Sequence, residues 1–125
     1  MPEYNDGIQE AYISMLNEKE KDFDTAFKLF LTGAQKICND YKKAEGGGKA
    51  FGKILTFSKG KKYIRIIAVP EMGAGKSAWA FINIENGDVL KVASWKAPAK
   101  KARGNIYDNK NGLGRITPYG PEYNK

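Results

Sequence analysis

Gly46-Gly47-Gly48 divide the chain into two stretches whose apolar periodicities are incompatible. Three consecutive glycines stop a helix and leave a flexible joint, so the stretch before them does not run continuously into the stretch after. Before the joint, Ile8, Ala11, Tyr12, Met15 and Leu16 recur at helical spacing, and Phe23, Ala26, Phe27, Phe30, Leu31, Ala34, Ile37, Cys38 and Tyr41 do so over a longer span. The polar run Glu18-Lys19-Glu20-Lys21-Asp22 separates the two stripes, and Asp22 or Asp24 can cap the second. This spacing predicts helices over 6–19 and 23–44, with their apolar faces packed on a sheet, on one another or in a dimer. Gly33 costs the second helix about 1 kcal/mol relative to alanine and leaves room for close packing.

After the joint the signals are those of strands. Phe51–Phe57, Tyr63–Val69, Ala78–Glu85 and Val89–Trp95 are rich in β-branched and aromatic residues. Ser58-Lys59-Gly60-Lys61 and Asn86-Gly87 are turn sequences, the latter a strong hairpin signal. Alternation puts Ile64, Ile66 and Ala68 on one face and Tyr63, Arg65 and Ile67 on the other; Leu90, Val92 and Ser94 likewise oppose Val89, Lys91, Ala93 and Trp95. Lys96 to Asn105 reads as small and basic, with at most one or two helical turns. The glycine- and proline-containing tail reads as loop tied down by Ile106, Tyr107, Leu113, Ile116 and Tyr119. The expected fold class is α+β: two N-terminal helices, a four-stranded antiparallel β-meander and an irregular C-terminal tail. These form a single domain over 1–125, with a helical part at 1–45 and a basic, β-rich part at 49–125.

With 125 residues, 42% of them apolar, the chain can bury a core without metal or disulfide support. There is no histidine, which removes histidine triads, imidazole acid/base chemistry and histidine metal sites. The single cysteine, Cys38, lies on the apolar helical stripe and reads as a buried hydrophobe, in keeping with a reducing cytoplasm. The N-terminus has no signal-peptide pattern, and Ile66-Ile67-Ala68-Val69 is far too short to span a membrane. Gly73-Ala74-Gly75-Lys76-Ser77 ends like a nucleotide-triphosphate loop, but that loop opens with a glycine where this chain has Pro70, and it leads into a helix where Ser77–Ile84 reads as a strand. The basic region holds five carboxylates, Glu71, Glu85, Asp88, Asp108 and Glu122, without catalytic spacing. The expectation is a protein without enzymatic activity, cofactor or metal.

Charge supplies the functional reading. Residues 1–45 carry six lysines against nine acids, whereas 46–125 carry fifteen basic residues against five acids. That asymmetry points to a surface that meets a polyanion. Lys53, Tyr63, Arg65, Lys91, Trp95 and Lys96 combine cations for phosphates with rings for bases; Lys100, Lys101 and Arg103 continue the basic run, which has alanine and proline between its charges in place of acids. Trp79, between alanines, reads as a core anchor. These nine residues are the expected nucleic-acid-binding set, with single-stranded DNA or RNA preferred.

The string Gly87-Asp88-Val89-Leu90-Lys91-Val92-Ala93-Ser94-Trp95-Lys96-Ala97-Pro98-Ala99-Lys100-Lys101-Ala102-Arg103-Gly104-Asn105-Ile106, with Gly112-Leu113-Gly114 and Pro118-Tyr119-Gly120-Pro121-Glu122-Tyr123, resembles a family of small proteins of tailed bacteriophages. The resemblance covers about residues 50–123 and carries no assigned activity, so no residue role transfers from it. It implies a viral protein expressed in the host bacterial cytoplasm, a setting that favours handling of replicating DNA; the chain is expected to act on nucleic acid as a homo-oligomer. The alternatives are an inhibitor of a host protein, with an anti-defence role, and a sponge for a host signalling nucleotide.

Overall fold

The structure is a computed structural model and describes residues 22–73 and 75–123; the helix expected over 6–19 lies outside them. Helix α1 spans Phe23–Ala44. The Asp22 carboxylate accepts a hydrogen bond from the Thr25 backbone N–H at 2.8 Å, which holds its pKa below the ordinary aspartate value. At the other end the Gly47 N–H closes onto the Lys42 carbonyl at 2.9 Å, with Gly46 and Gly47 both at positive φ. The buried face is Ala26, Phe27, Phe30, Ala34 and Cys38, all from the stripe read in the sequence. Burial pushes the Cys38 thiol pKa up against the opposing pull of Lys53.

A single 3-10 turn, Lys49–Phe51, leads into a five-stranded sheet. Its strands are β1 (Lys53–Lys59), β2 (Tyr63–Pro70), β3 (Ser77–Asn83), β4 (Asp88–Ser94) and β5 (Ala97–Asn105). They run antiparallel in sequence order. The architecture is α+β as expected, but the described residues contain one helix and five strands in this sheet, where two helices and four strands were expected. The difference is the Lys96–Asn105 segment. It is not helical: Leu90 pairs with Ala102 and Val92 with Pro98, so the neighbouring strand β4 overrides the weak local preference of an alanine- and lysine-rich run. The proline is tolerated because β5 is an edge strand. The tail also carries regular structure, a small hairpin of β6 (Ile116–Thr117) and β7 (Gly120–Pro121).

Helix α1 covers the face that bears Leu55, Ile64, Ile66, Ala68, Ala80, Ile82 and Val89. A bulge between Ile66 and Ile67 pairs them with Ala80 and Ala78, which leaves Trp79 as the extra residue. Trp79 is 4% exposed and donates its Nε1–H to the Pro118 carbonyl at 3.2 Å. The tail lies on this same face. Leu113 occupies the space a side chain at Gly33 would take: a Cβ there would stand 2.2 Å from its Cδ1. Gly120, at φ +106°, brings its backbone so close to Trp79 that a Cβ would lie 2.5 Å from the Trp79 carbonyl oxygen. No helix among the described residues is long and apolar enough to cross a membrane.

Candidate nucleic-acid interface

The expected cations are placed by the strands they sit on, except Lys96 in the β4–β5 turn, and alternation sends them to opposite faces. Lys53, Lys91 and Arg103 point to the covered face and hold the tail by its backbone. Lys53 Nζ donates to the Pro118 carbonyl at 2.8 Å and Lys91 Nζ to the Pro121 carbonyl at 2.9 Å. Arg103 Nε donates to the Glu122 carbonyl at 3.2 Å and a second guanidinium nitrogen to the Lys101 carbonyl. Arg103 is 7% exposed, so the expectation that it meets phosphate at the surface is corrected: its guanidinium is turned to the protein's own carbonyls. Burial, reinforced by Arg103, lowers the Lys91 pKa, and its ammonium lies 4.1 Å from the Tyr123 ring centre. These three side chains belong to the architecture of the tail.

On the other face Arg65, in the middle of β2, forms the centre of a cluster. Its guanidinium stands 4.6 Å from the centre of the Trp95 ring and 5.9 Å from that of Phe81. Its Nε donates to the Trp95 carbonyl at 2.8 Å and another nitrogen to Ser58 Oγ at 3.2 Å. The β4–β5 turn is thereby drawn back over β2. Tyr63 meets Phe81 edge-on at 6.0 Å, with the Lys62 ammonium 5.5 Å from the Tyr63 ring. The result is a cleft of about 350 Å³ lined by Ser58, Lys59, Gly60, Lys61, Lys62, Tyr63, Arg65, Phe81 and Lys96.

Three of the nine expected residues, Tyr63, Arg65 and Lys96, line that cleft, and Trp95, 39% exposed, stands against its Arg65 wall. Lys100 and Lys101 are exposed on β5. Lys59, Lys61 and Lys62 are cleft residues that the sequence did not single out. The signal is three lysines in four residues around Gly60, which equally fits a polar turn. Among the described residues no carboxylate lines the cleft. The ion pairs of the described residues, Lys36–Asp40, Lys42–Glu71 and Arg115–Glu122, use none of its cations. Cations without counter-charges, beside flat rings in a partly desolvated groove, attract a phosphate backbone and offer surfaces for stacking.

Among the described residues no group of histidine, cysteine or carboxylate side chains is arranged to hold a metal ion. A family model described as a family of unknown function, DUF7717, matches residues 8–116. No curated protein and no solved structure matches the chain.

Proposed function

We propose that this chain, which belongs to the DUF7717 family, binds single-stranded nucleic acid without catalysing a reaction on it. The observation that carries the reading is the cleft at the β1–β2 turn, where Lys59, Lys61, Lys62, Arg65 and Lys96 surround Tyr63 and Phe81 with no acid among them. Single strands are favoured over duplex because rings at a surface stack on bases only where those bases are unpaired and splayed. Tyr63 and Trp95 serve as stacking surfaces, the cleft cations and the exposed Lys100 and Lys101 as phosphate contacts. In a bacteriophage setting, the resemblance of the 87–123 segment makes replicating or transcribed strands in the host cytoplasm the natural partner.

Fluorescence anisotropy of a labelled oligothymidine against increasing salt tests this. Affinity is expected to fall linearly on a log–log plot, by about 0.7 per phosphate contacted. Replacing Lys100 and Lys101 together by alanine is expected to weaken binding to all sequences alike and flatten that slope by about two units or less. Folding stability should stay within about 0.5 kcal/mol, since both side chains are exposed. Absence of binding at low salt would remove the reading, and stoichiometric co-purification of a host protein would replace it with the inhibitor alternative.

A further inference from the structure

A second cleft, of about 290 Å³, opens at the opposite end of the β1–β2 hairpin and on the helix side of the sheet. Lys53 and Pro70 pair at this end and Lys59 and Ile64 at the other, six residues away, or about 20 Å of strand. Its wall is a row of three rings: Phe51 meets Tyr41 edge-on at 6.1 Å, and Tyr41 meets Tyr119 at 5.6 Å with their hydroxyls hydrogen-bonded at 2.7 Å. None of the three belongs to the hydrophobic core, and Tyr119 is 67% exposed. Phe51 and Tyr119 are thus exposed rings beside a concavity, the kind of surface that marks a binding site. Gly52, Ala68, Gly75 and Ser77 are also in the lining.

Those last two residues flank Lys76 in the Gly-Lys-Ser string that resembles a triphosphate loop. Ser77 opens strand β3 and no helix follows, so there is no helix N-terminus to cradle a triphosphate. The same string instead places Ser77 in the lining of the cleft. Lys53 supplies the cation: one N–H of its ammonium is held by the Pro118 carbonyl, the others are left for a ligand, and its Nζ lies 4.9 Å from the centre of the Tyr119 ring. Flat rings, a hydroxyl and one cation around a space near the lower end of small-molecule sites, about 300 Å³, match a heteroaromatic ring carrying one phosphate. We infer that this cleft is a binding site for a free mononucleotide, with the base against Tyr119 and Phe51, Ser77 hydrogen-bonded to it, and the phosphate drawn by Lys53. The inference is independent of the strand-binding reading, because the two clefts share no lining residue.

Equilibrium dialysis of the full chain against AMP, GMP, CMP and UMP, one at a time at low ionic strength, tests it. At least one is expected to bind at one per chain, and its nucleoside to bind more weakly. Tyr119→Ala is expected to weaken that binding about tenfold, with Tyr119→Phe much closer to the parent protein. Phe51→Ala provides a second probe of the same wall, and circular dichroism confirms that each variant is folded. Arg65→Ala should leave mononucleotide binding unchanged while lowering oligonucleotide affinity. The inference is overturned if none of the four binds at millimolar concentration, if nucleoside and nucleotide bind equally, or if Arg65→Ala abolishes binding that Tyr119→Ala and Phe51→Ala leave intact. Loss of oligonucleotide binding alone would count against the strand-binding reading and leave this site standing.

Discussion

The hydrogen bond between the Tyr41 and Tyr119 hydroxyls, helped by burial, raises the Tyr41 pKa from 10.0 to about 12. The folded state thus favours the protonated phenol. Its contribution to stability is fully present below the ordinary tyrosine value and is lost as pH climbs from there toward 12. Tyrosinate absorbance should therefore show one late-titrating group, and Tyr119→Phe should bring it back toward ordinary behaviour; an unchanged titration would mean that the pair does not form. Arg65 is the other residue whose chemistry is open to a single substitution. A lysine keeps the charge but not the flat guanidinium that lies over Trp95 and donates to its carbonyl. Arg65→Lys is expected to shift Trp95 emission and reduce oligonucleotide affinity severalfold, with a stability change of about 0.5–1 kcal/mol. Equal affinity for both versions would show that charge alone suffices.

Strand β1 is an edge of the sheet, and helix α1 protects part of it through one side chain. Gln35 accepts from the Leu55 backbone N–H at 2.8 Å and donates to the Lys53 carbonyl at 3.0 Å, as a neighbouring strand would. Its amide also donates to Asn39 Oδ1 at 2.9 Å, which holds its orientation. An uncovered edge is a template for pairing with another chain. Gln35→Leu leaves both backbone groups without their partner, and urea unfolding should show a loss of about 1–3 kcal/mol. Sedimentation at high concentration should show more self-association than the parent chain. If both measurements match the parent, water replaces the amide without cost and the helix protects the edge only by its bulk.

Beyond the cations paired with acids, positive charge on the sheet of the described residues serves two tasks. Cations on the covered face bind the chain's own tail, and those around the β1–β2 turn lack acidic partners among the described residues. Pro118 is the focus of the first task, since its carbonyl accepts from both Lys53 and Trp79. Ending the chain at Arg115 would strand Arg103 without its Glu122 acceptor and uncover Trp79. The lost charge-assisted hydrogen bonds and apolar burial amount to about 3 kcal/mol or more, so the melting temperature should fall by at least about 10 °C. A chain that melts unchanged would show that the tail rests on the sheet without supporting it.

Helix α1 was legible residue for residue because its determinants are local: an aspartate at the start, apolar spacing that repeats every turn, and glycines at the end. Strands β1 to β4 were legible for the same reason, as was the split of Ile64, Ile66 and Ala68 from Tyr63, Arg65 and Ile67. Strand β5 was not, because the partner it pairs with decides its conformation. Composition alone determined that the β-rich part would be basic. Only the tertiary structure decided which cations face outward, since that depends on strand register and on where the tail crosses the sheet. Lys53, Lys91 and Arg103 look like Arg65 and Lys96 in a string of letters, yet the first three meet carbonyls 65, 30 and 19 residues away. Arg65 meets Trp95 across 30 residues of chain in the same way. A charged side chain announces its charge locally, but its partner is a property of the fold, because contacts at such separations exist only once the sheet has brought the strands together.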